Sequence, residues 1–185
     1  MFEIKNGILS AIDIGTNSFH QIIAKINKDK FSIIDRTKEV VRLGISSTDM
    51  KYISEEAMDR GVIALKRFKT LSDLHNATIR AVATSAVREA LNRTEFLRRV
   101  KSETGIDVEI ISGYEEARLI YLGVLQSLPV FKDRVVVIDI GGGSTEFLYG
   151  QKGNVLFAES LKLGAIRFTQ KYFTNEKLDM SSVYE

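Results

Sequence analysis

Apolar and polar positions divide the chain into short hydrophobic runs and longer amphipathic stretches. Ile8–Ile14 is a run rich in Ile and Leu, of strand type. Phe19–Ile26 (FHQIIAKI) and Phe31–Val41 follow, and the polar turn Asn27-Lys28-Asp29-Lys30 between them predicts a hairpin. Ser54 predicts a helix N-cap, with Glu55 and Glu56 in the first turn, where the helix dipole favours acids. Met58, Gly61, Val62, Leu65, Phe68 and Leu71 then share one face at helical spacing. Thr78–Ala83 predicts a short strand, Ser85–Leu91 a short helix, and Thr94 the cap of a helix that ends at Gly105. Val108–Ile111 predicts another strand, and Glu115–Leu128 a helix stopped by Pro129.

At Val135 the order begins again. Val135–Ile140, Thr145–Tyr149 and Val155–Leu163 predict three strands, the last two joined at Gln151-Lys152-Gly153, and Ala165–Tyr172 predicts a helix. Gly44 and Gly164 hold similar places at the end of each third strand. The expected fold is α/β: a mixed sheet of three meandering strands plus parallel strands flanked by helices, then the start of a second similar unit. The boundary is expected near Ser127–Asp133, giving residues 1–126 and 127–185. The chain closes on the polar stretch TNEKLDMSSVYE before the second unit's remaining strands, and a half-built sheet leaves an apolar face uncovered. A longer parent protein or a natural truncation is therefore expected.

The two units end their first strands alike. Ile8–Phe19 reads ILSAIDIGTNSF and Val135–Phe147 reads VVVIDIGGGSTEF. Each apolar run closes on Ile-Asp-Ile-Gly, a turn of small residues follows, and a Ser lies five positions after the Asp: Asp13 to Ser18, Asp139 to Ser144. Small residues let a backbone approach an anion, and successive N–H groups form a nest for it. Gly141, Gly142 and Gly143 place no Cβ in the way, while Ser144 and Thr145 add hydroxyl donors. Gly15, Thr16, Asn17 and Ser18 make the matching set. Asp13 and Asp139 repel phosphate unless a hard cation such as Mg²⁺, or another divalent ion, stands beside them. Glu146 is a third candidate, as an acid or as a ligand to a metal-bound water. Matching offsets in both loops point to phosphoryl chemistry. There is no G-x-x-x-x-G-K-[ST] P-loop, and the GGGSTE run enters a strand, unlike a dinucleotide-binding G-x-G-x-x-G that opens a helix.

Composition narrows the partners. Lys+Arg 26 against Asp+Glu 24 gives no charge argument for nucleic acid or membrane binding. The absence of Cys excludes disulfides, thiolate metal sites and a Cys nucleophile, and fits a reducing cytoplasm. No apolar run approaches the ~20 residues that span a bilayer, and the N-terminus lacks a signal-peptide pattern.

Five ordered segments carry a family resemblance: AIDIGTNSFHQIIA, SEEAMDRGVIALKRF, ATSAVREALN, IISGYEEARLIYLGV and VIDIGGGSTEF. From Ala11 to Phe147, with a weaker match on to Tyr172, the chain resembles the exopolyphosphatase and guanosine pentaphosphate phosphohydrolase (Ppx/GppA) family, within the actin, Hsp70 and sugar-kinase superfamily. The resemblance implies a pair of ribonuclease-H-like domains with the active site in the cleft between them. It implies hydrolysis of a phosphoanhydride by water, releasing terminal phosphate from polyphosphate or the 5′ γ-phosphate of pppGpp. It makes Glu116, the second acid of SGYEEARLI, the catalytic base, and Arg88 of ATSAVREA an arginine at the phosphate. Sequence alone leaves a plainer reading open for each. Glu115 and Glu116 suit a helix first turn, and Arg88 suits a solvated pair with Glu89 or Glu55.

Thr84 and Ser85 precede a helix whose N–H groups face the anion in this reading. His20 reads as a packing or loop-orienting residue ahead of a general base, and Arg118 as structural. The basic clusters at Lys66, Arg67 and Lys69, and at Arg98, Arg99 and Lys101, read as solvated helix faces, with attraction of a long polyanion as a second use. Expected partners are polyphosphate or pppGpp, with no nucleic acid, no membrane, and a homodimer through C-terminal parts. A non-catalytic sensor using the same loops is the alternative function, and an ATP-driven kinase a third. Residues 1–185 alone are expected to turn over weakly or not at all.

Overall fold

The computed structural model describes residues 6–28, 30–46 and 50–173. Asn6–Ile14 (β1), Ser18–Asn27 (β2) and Lys30–Val40 (β3) form an antiparallel meander. Glu55–Leu74 (α1) crosses over to Thr78–Ala83 (β4), which lies parallel to β1. Ser85–Glu89 (α2) and Arg93–Thr104 (α3) then lead to Val108–Ile110 (β5), parallel to β4. The sheet order is β3-β2-β1-β4-β5, and only helical crossovers of this kind permit its parallel pairs. Ile14 pairs with Ala83, so β1 and β4 end at the same edge. The turn after β1 therefore lies beside Thr84 and Ser85.

Packing follows the helical periodicity. Met58, Gly61, Val62, Leu65 and Phe68 of α1 are buried in one core with Ile12, Ile14 and Phe19 of the sheet and Phe96 and Val100 of α3. A Cβ on Gly61 would meet the Phe96 ring at 3.1 Å, so its bareness admits α3. Ser54 caps α1, its hydroxyl accepting from the Ala57 N–H at 3.3 Å. Thr94 is not the cap of α3. The helix starts one residue earlier, and Asn92 precedes it with no capping bond, because its amide clasps Ile53 instead. Ile53 N–H donates to Asn92 Oδ1 at 3.0 Å, and Nδ2 donates to Ile53 O at 2.8 Å. Gly105, left-handed at φ 74, closes α3 as the sequence predicts.

Arg134–Ile140 (β6), Thr145–Gln151 (β7) and Asn154–Leu161 (β8) form a second antiparallel meander. Lys152 (φ 53) and Gly153 (φ 81) supply the two left-handed residues of its tight β7–β8 turn. Gly113–Ser127 (α4) begins two residues before the predicted Glu115, since the Ser112 hydroxyl caps it by accepting from Glu115 N–H at 3.1 Å. Although α4 follows β5, its body packs on the second sheet. Ala117 and Tyr121 are buried against Leu148, and a Cβ on Gly150 would meet the Tyr121 ring at 2.7 Å. Val136, Ile138 and Ile140 of β6 are exposed, an apolar row without cover among the described residues. Ala165–Tyr172 (α5) completes the described part. Asp29 of the predicted hairpin turn and the polar stretch TNEKLDMSSVYE lie outside it. No helix among the described residues is long and apolar enough to cross a membrane.

Candidate active site

The twin turns are built by one device. In the first, Asn17 O accepts from the N–H groups of Val41 (3.0 Å) and Arg42 (2.8 Å), and Thr16 O from Gly44 (3.0 Å). In the second, Gly141 O accepts from Ala165 (2.9 Å), and Gly142 O from Ile166 (2.9 Å) and Arg167 (3.2 Å). The segment after each third strand thus takes up the loop's carbonyls. The N–H groups of Thr16, Asn17, Gly142 and Gly143 find no backbone acceptor among the described residues, which suits an anion. Close approach explains the paired glycines: a Cβ on Gly164 would lie 2.3 Å from Gly142 O, and one on Gly44 2.4 Å from Thr16 Cγ2.

The loops face each other. A Cβ on Gly142 would meet Thr16 Cβ at 3.2 Å, and one on Gly143 would meet Thr16 Oγ1 at 2.8 Å and Ser85 Oγ at 2.6 Å. Between them lies a cavity of about 150 Å³. Asp13, Gly15, Thr16, Asn17 and Ser18 line one side and Asp139, Gly141, Gly142, Gly143 and Ser144 the other, with His20, Thr84, Ser85 and Glu116 at the ends. A second compartment of about 260 Å³ adjoins it, where Val82, Ile111, Leu119 and Ile120 meet the same Asp13, Glu116 and Asp139. The three carboxyl groups therefore sit where a polar cradle meets an apolar wall. A larger cavity of about 690 Å³ along β4 and β5, at Lys69, Arg80, Asp107 and Glu109, includes neither loop.

That boundary sets the acidities. Burial pushes the Glu116 carboxyl up to about 7; the Arg88 hydrogen bond opposes this, and the charges of Glu146 and Asp13 add to it. Asp13 is open to solvent at the cleft mouth, yet the surrounding protein strips much of its hydration. That loss, then the charge of Asp139, raises it to about 6. Arg88 Nη1 donates to Glu116 Oε2 at 2.8 Å and to Ile111 O at 3.1 Å. Its partner is thus Glu116 across the cleft and neither Glu89 nor Glu55; Glu55 pairs with Arg99. Arg118 pairs with Glu115 through two bonds of 2.7 Å, turned away from Glu116. His20 Nε2 lies 3.0 Å from Ser18 Oγ, a loop-orienting contact, and burial followed by Lys38 lowers its pKa.

Two predicted residues stand back from the cradle lining. Thr145 pairs with Ile140 and starts β7, so its hydroxyl is buried and donates to Leu163 O. Glu146 is 2% exposed and accepts from Ser160 Oγ at 2.7 Å, acting on the cleft through its charge. Sequence reasoning missed Arg167 and Gln170. Arg167 Nε donates to Gly143 O at 2.9 Å and Nη2 to Glu89 Oε1 at 2.9 Å, while Gln170 Nε2 reaches Gly44 O at 3.3 Å. Their i, i+3 spacing on α5 is the one signal that could have paired them.

For a divalent cation, Asp13 and Asp139 fit. Their mutual repulsion is what a cation relieves, and Mg²⁺ commonly takes one or two carboxylates and fills its remaining positions with phosphate oxygens and water. Glu146, turned to Ser160, does not join them, and among the described residues no three His, Asp or Glu side chains converge as a ligand cluster.

Known proteins are similar to this chain in sequence and fold. The Ppx/GppA phosphatase family matches residues 22–184. The bifunctional 3-dehydroquinate synthase/phosphatase of Fusobacterium nucleatum is 40% identical over 95% of this chain and 28% of its own length. An exopolyphosphatase from Cytophaga hutchinsonii is 36% identical over 94% of this chain and 56% of its own, with a TM-score of 0.88. The Aquifex aeolicus PPX-GPPA enzyme is 36% identical over 96% of this chain and 59% of its own, with a TM-score of 0.78. The chain thus spans just over half the length of these two solved proteins and under a third of the first relative. The architecture is ribonuclease-H-like, of the actin-like ATPase type. With most of its length inside the family match and both turns of the cleft in place, the chain belongs to the Ppx/GppA phosphatase family.

Proposed function

We propose that the cleft hydrolyses a phosphoanhydride, releasing the terminal phosphate of inorganic polyphosphate or the 5′ γ-phosphate of pppGpp. The observation that carries this reading is the Glu116 carboxyl, about 7 in acidity, held by Arg88 beside two facing anion cradles. Near neutral pH such a group can both exist as carboxylate and accept a proton, the compromise a general base requires. Glu116 takes a proton from a water whose oxygen attacks the terminal phosphorus. The new P–O bond forms as the bridging anhydride bond breaks, and its electron pair leaves on the shortened chain.

The loop N–H groups and the hydroxyls of Thr16, Ser18 and Ser144 hold the transferred group's oxygens. Arg88 orients Glu116 and sets a positive charge near the phosphate. Asp13 and Asp139 would hold a divalent cation, which when bound offsets the charge on the anhydride oxygens. The turns after β1 and β6 then form the two walls, one in each of the units 1–126 and 127–185, with α4 reaching from the first unit to the second sheet. The family match and the exopolyphosphatase likeness support the phosphatase reading.

Phosphate release from both substrates, with and without Mg²⁺, tests it. Glu116→Gln is expected to lower kcat by about 10²- to 10⁴-fold while substrate binding is kept. Near-normal turnover in that variant moves the base elsewhere. Because residues 1–185 alone are expected to turn over weakly, release is measured in the protein at its natural length, and tight binding there with no release in any metal assigns the cleft to sensing.

A further inference from the structure

The first N–H groups of a helix have no partner within it, and α5 gives its own to the second cradle. Ala165 donates to Gly141 O, and Ile166 and Arg167 donate to Gly142 O. The next carbonyl is taken by a side chain: Arg167 Nε donates to Gly143 O at 2.9 Å. A peptide unit is planar and trans, so a carbonyl held on one side turns the N–H of the same unit to the other. The three captured carbonyls therefore aim the N–H groups of Gly142, Gly143 and Ser144, residues that all line the cleft. The Ser144 N–H finds no backbone acceptor among the described residues. Gly143 has no Cβ to restrain its torsions, so the guanidinium is what fixes the Gly143–Ser144 unit.

The anchor of that guanidinium lies in the other unit. Arg167 Nη2 donates to Glu89 Oε1 at 2.9 Å, and Glu89 closes α2. The same Oε1 accepts from Ser85 Oγ at 3.2 Å, and Ser85 faces Gly143 across the cleft. The Arg167 and Glu89 side chains are only 16% and 15% exposed. Burial opposes the charge on Glu89, but Lys162 and Arg167 outweigh it and hold the carboxyl below its usual range. A planar fork of fixed donors can hold Gly143 O and Glu89 in one geometry, whereas an ammonium on a flexible stem cannot.

We propose that Arg167, anchored by Glu89, is a positioning residue: it keeps the Ser144 N–H turned toward the transferred phosphate and ties that turn to α2 of the opposite wall. Its donors are committed to Gly143 O and Glu89, so it acts through the peptide unit and not by touching substrate. The inference rests on the phosphoanhydride reading and adds to it a residue behind the cradle.

Steady-state kinetics of the protein at its natural length, with polyphosphate and pppGpp as substrates, test this. Arg167→Met is expected to lower kcat about 10²-fold and to change KM less than about threefold, since an aimed donor counts most in the transition state. Arg167→Lys is expected to recover about tenfold of that loss, because an ammonium can reach Gly143 O but lacks the fork. Lys162→Gln removes the 74% exposed cation from Glu89 and leaves Arg167 in place. It is expected to change kcat less than about twofold. Amide nitrogen–proton NMR spectra of the Glu116→Gln protein read the peptide directly and without turnover. The Ser144 amide is expected to move downfield when pyrophosphate is added, and to lose that response once Arg167→Met is introduced.

Unchanged kcat in Arg167→Met, or an equal loss in Lys162→Gln, overturns the positioning role. So does a fall in kcat that follows a fall in melting temperature, with Arg167→Lys no better than Arg167→Met. If Arg167→Met does not fold, Arg167→Lys takes its place in the spectra, and a Ser144 response as strong as before overturns the role. If the unaltered protein releases phosphate from neither substrate, the phosphoanhydride reading fails, and the Ser144 amide still decides whether Arg167 aims the peptide.

Discussion

At the scale of single residues, Glu116 and Arg88 make a testable pair. The guanidinium opposes the burial that raises the carboxyl to about 7, so activity is expected to rise with pH through about 7 as Glu116 loses its proton. Replacing Arg88 by Met removes that opposition. The ascending limb of kcat/KM should then move to higher pH, whereas Arg88→Lys should shift it less, as read from pH–rate profiles. The motif strings gave Glu116 and Arg88 their candidate roles, but not their contact, because 28 positions separate them. Thr145 shows the opposite limit. Its hydroxyl looks like one more donor in the sequence, yet strand pairing begins at that residue and the Leu163 carbonyl accepts its hydrogen bond.

At the scale of elements, the repeated strand, turn and glycine were legible because they are local patterns with strict spacing. Gly44 and Gly164 were visible as a matched pair, and only the structure shows what they do. Gly164→Ala puts a Cβ against backbone at Gly142 O, whereas Gly44→Ala meets side chains alone, the Thr16 methyl and the flexible end of Met50. Gly164→Ala is therefore expected to cut phosphate release by more than about tenfold with the greater loss of anion binding, and Gly44→Ala to have the milder effect, both measured as KM and kcat. Gly123 within α4 has nothing within 4 Å of an added Cβ. Gly123→Ala should raise stability by about 0.5–1 kcal/mol in denaturant melts. The α3 cap misled because Asn92 and Thr94 are both good capping types. Long-range clasping of Ile53 decided between them, and no local spacing records it.

For the whole molecule, the charge held in the cleft couples stability to pH and to cations. Asp13, near 6, and Glu116, near 7, bind protons more tightly folded than unfolded. The stability they contribute is complete below their ordinary values near 4 and is lost as pH rises through about 6 and 7. Thermal melts should therefore fall between pH 5 and pH 8 by an amount that Asp13→Asn reduces. Mg²⁺ should restore part of the loss at pH 8, and restore little in a protein with both Asp13→Asn and Asp139→Asn. A melt at pH 8 indifferent to Mg²⁺ would argue against a cation between the two aspartates. The two-sheet layout was readable from strand order, while the seat of α4 was not. Its apolar face names no partner; in the structure Ala117 and Tyr121, set against Leu148 and Gly150, seat it on the second sheet.

That seat has a further consequence. Glu116, the proposed proton acceptor, rides on a helix packed against the second sheet, and Arg88, the cation that tempers it, grows from the first half. Moving the halves apart by even a few ångströms would cost Glu116 both its counter-charge and its burial, so its acidity belongs to the closed pairing of the two sides.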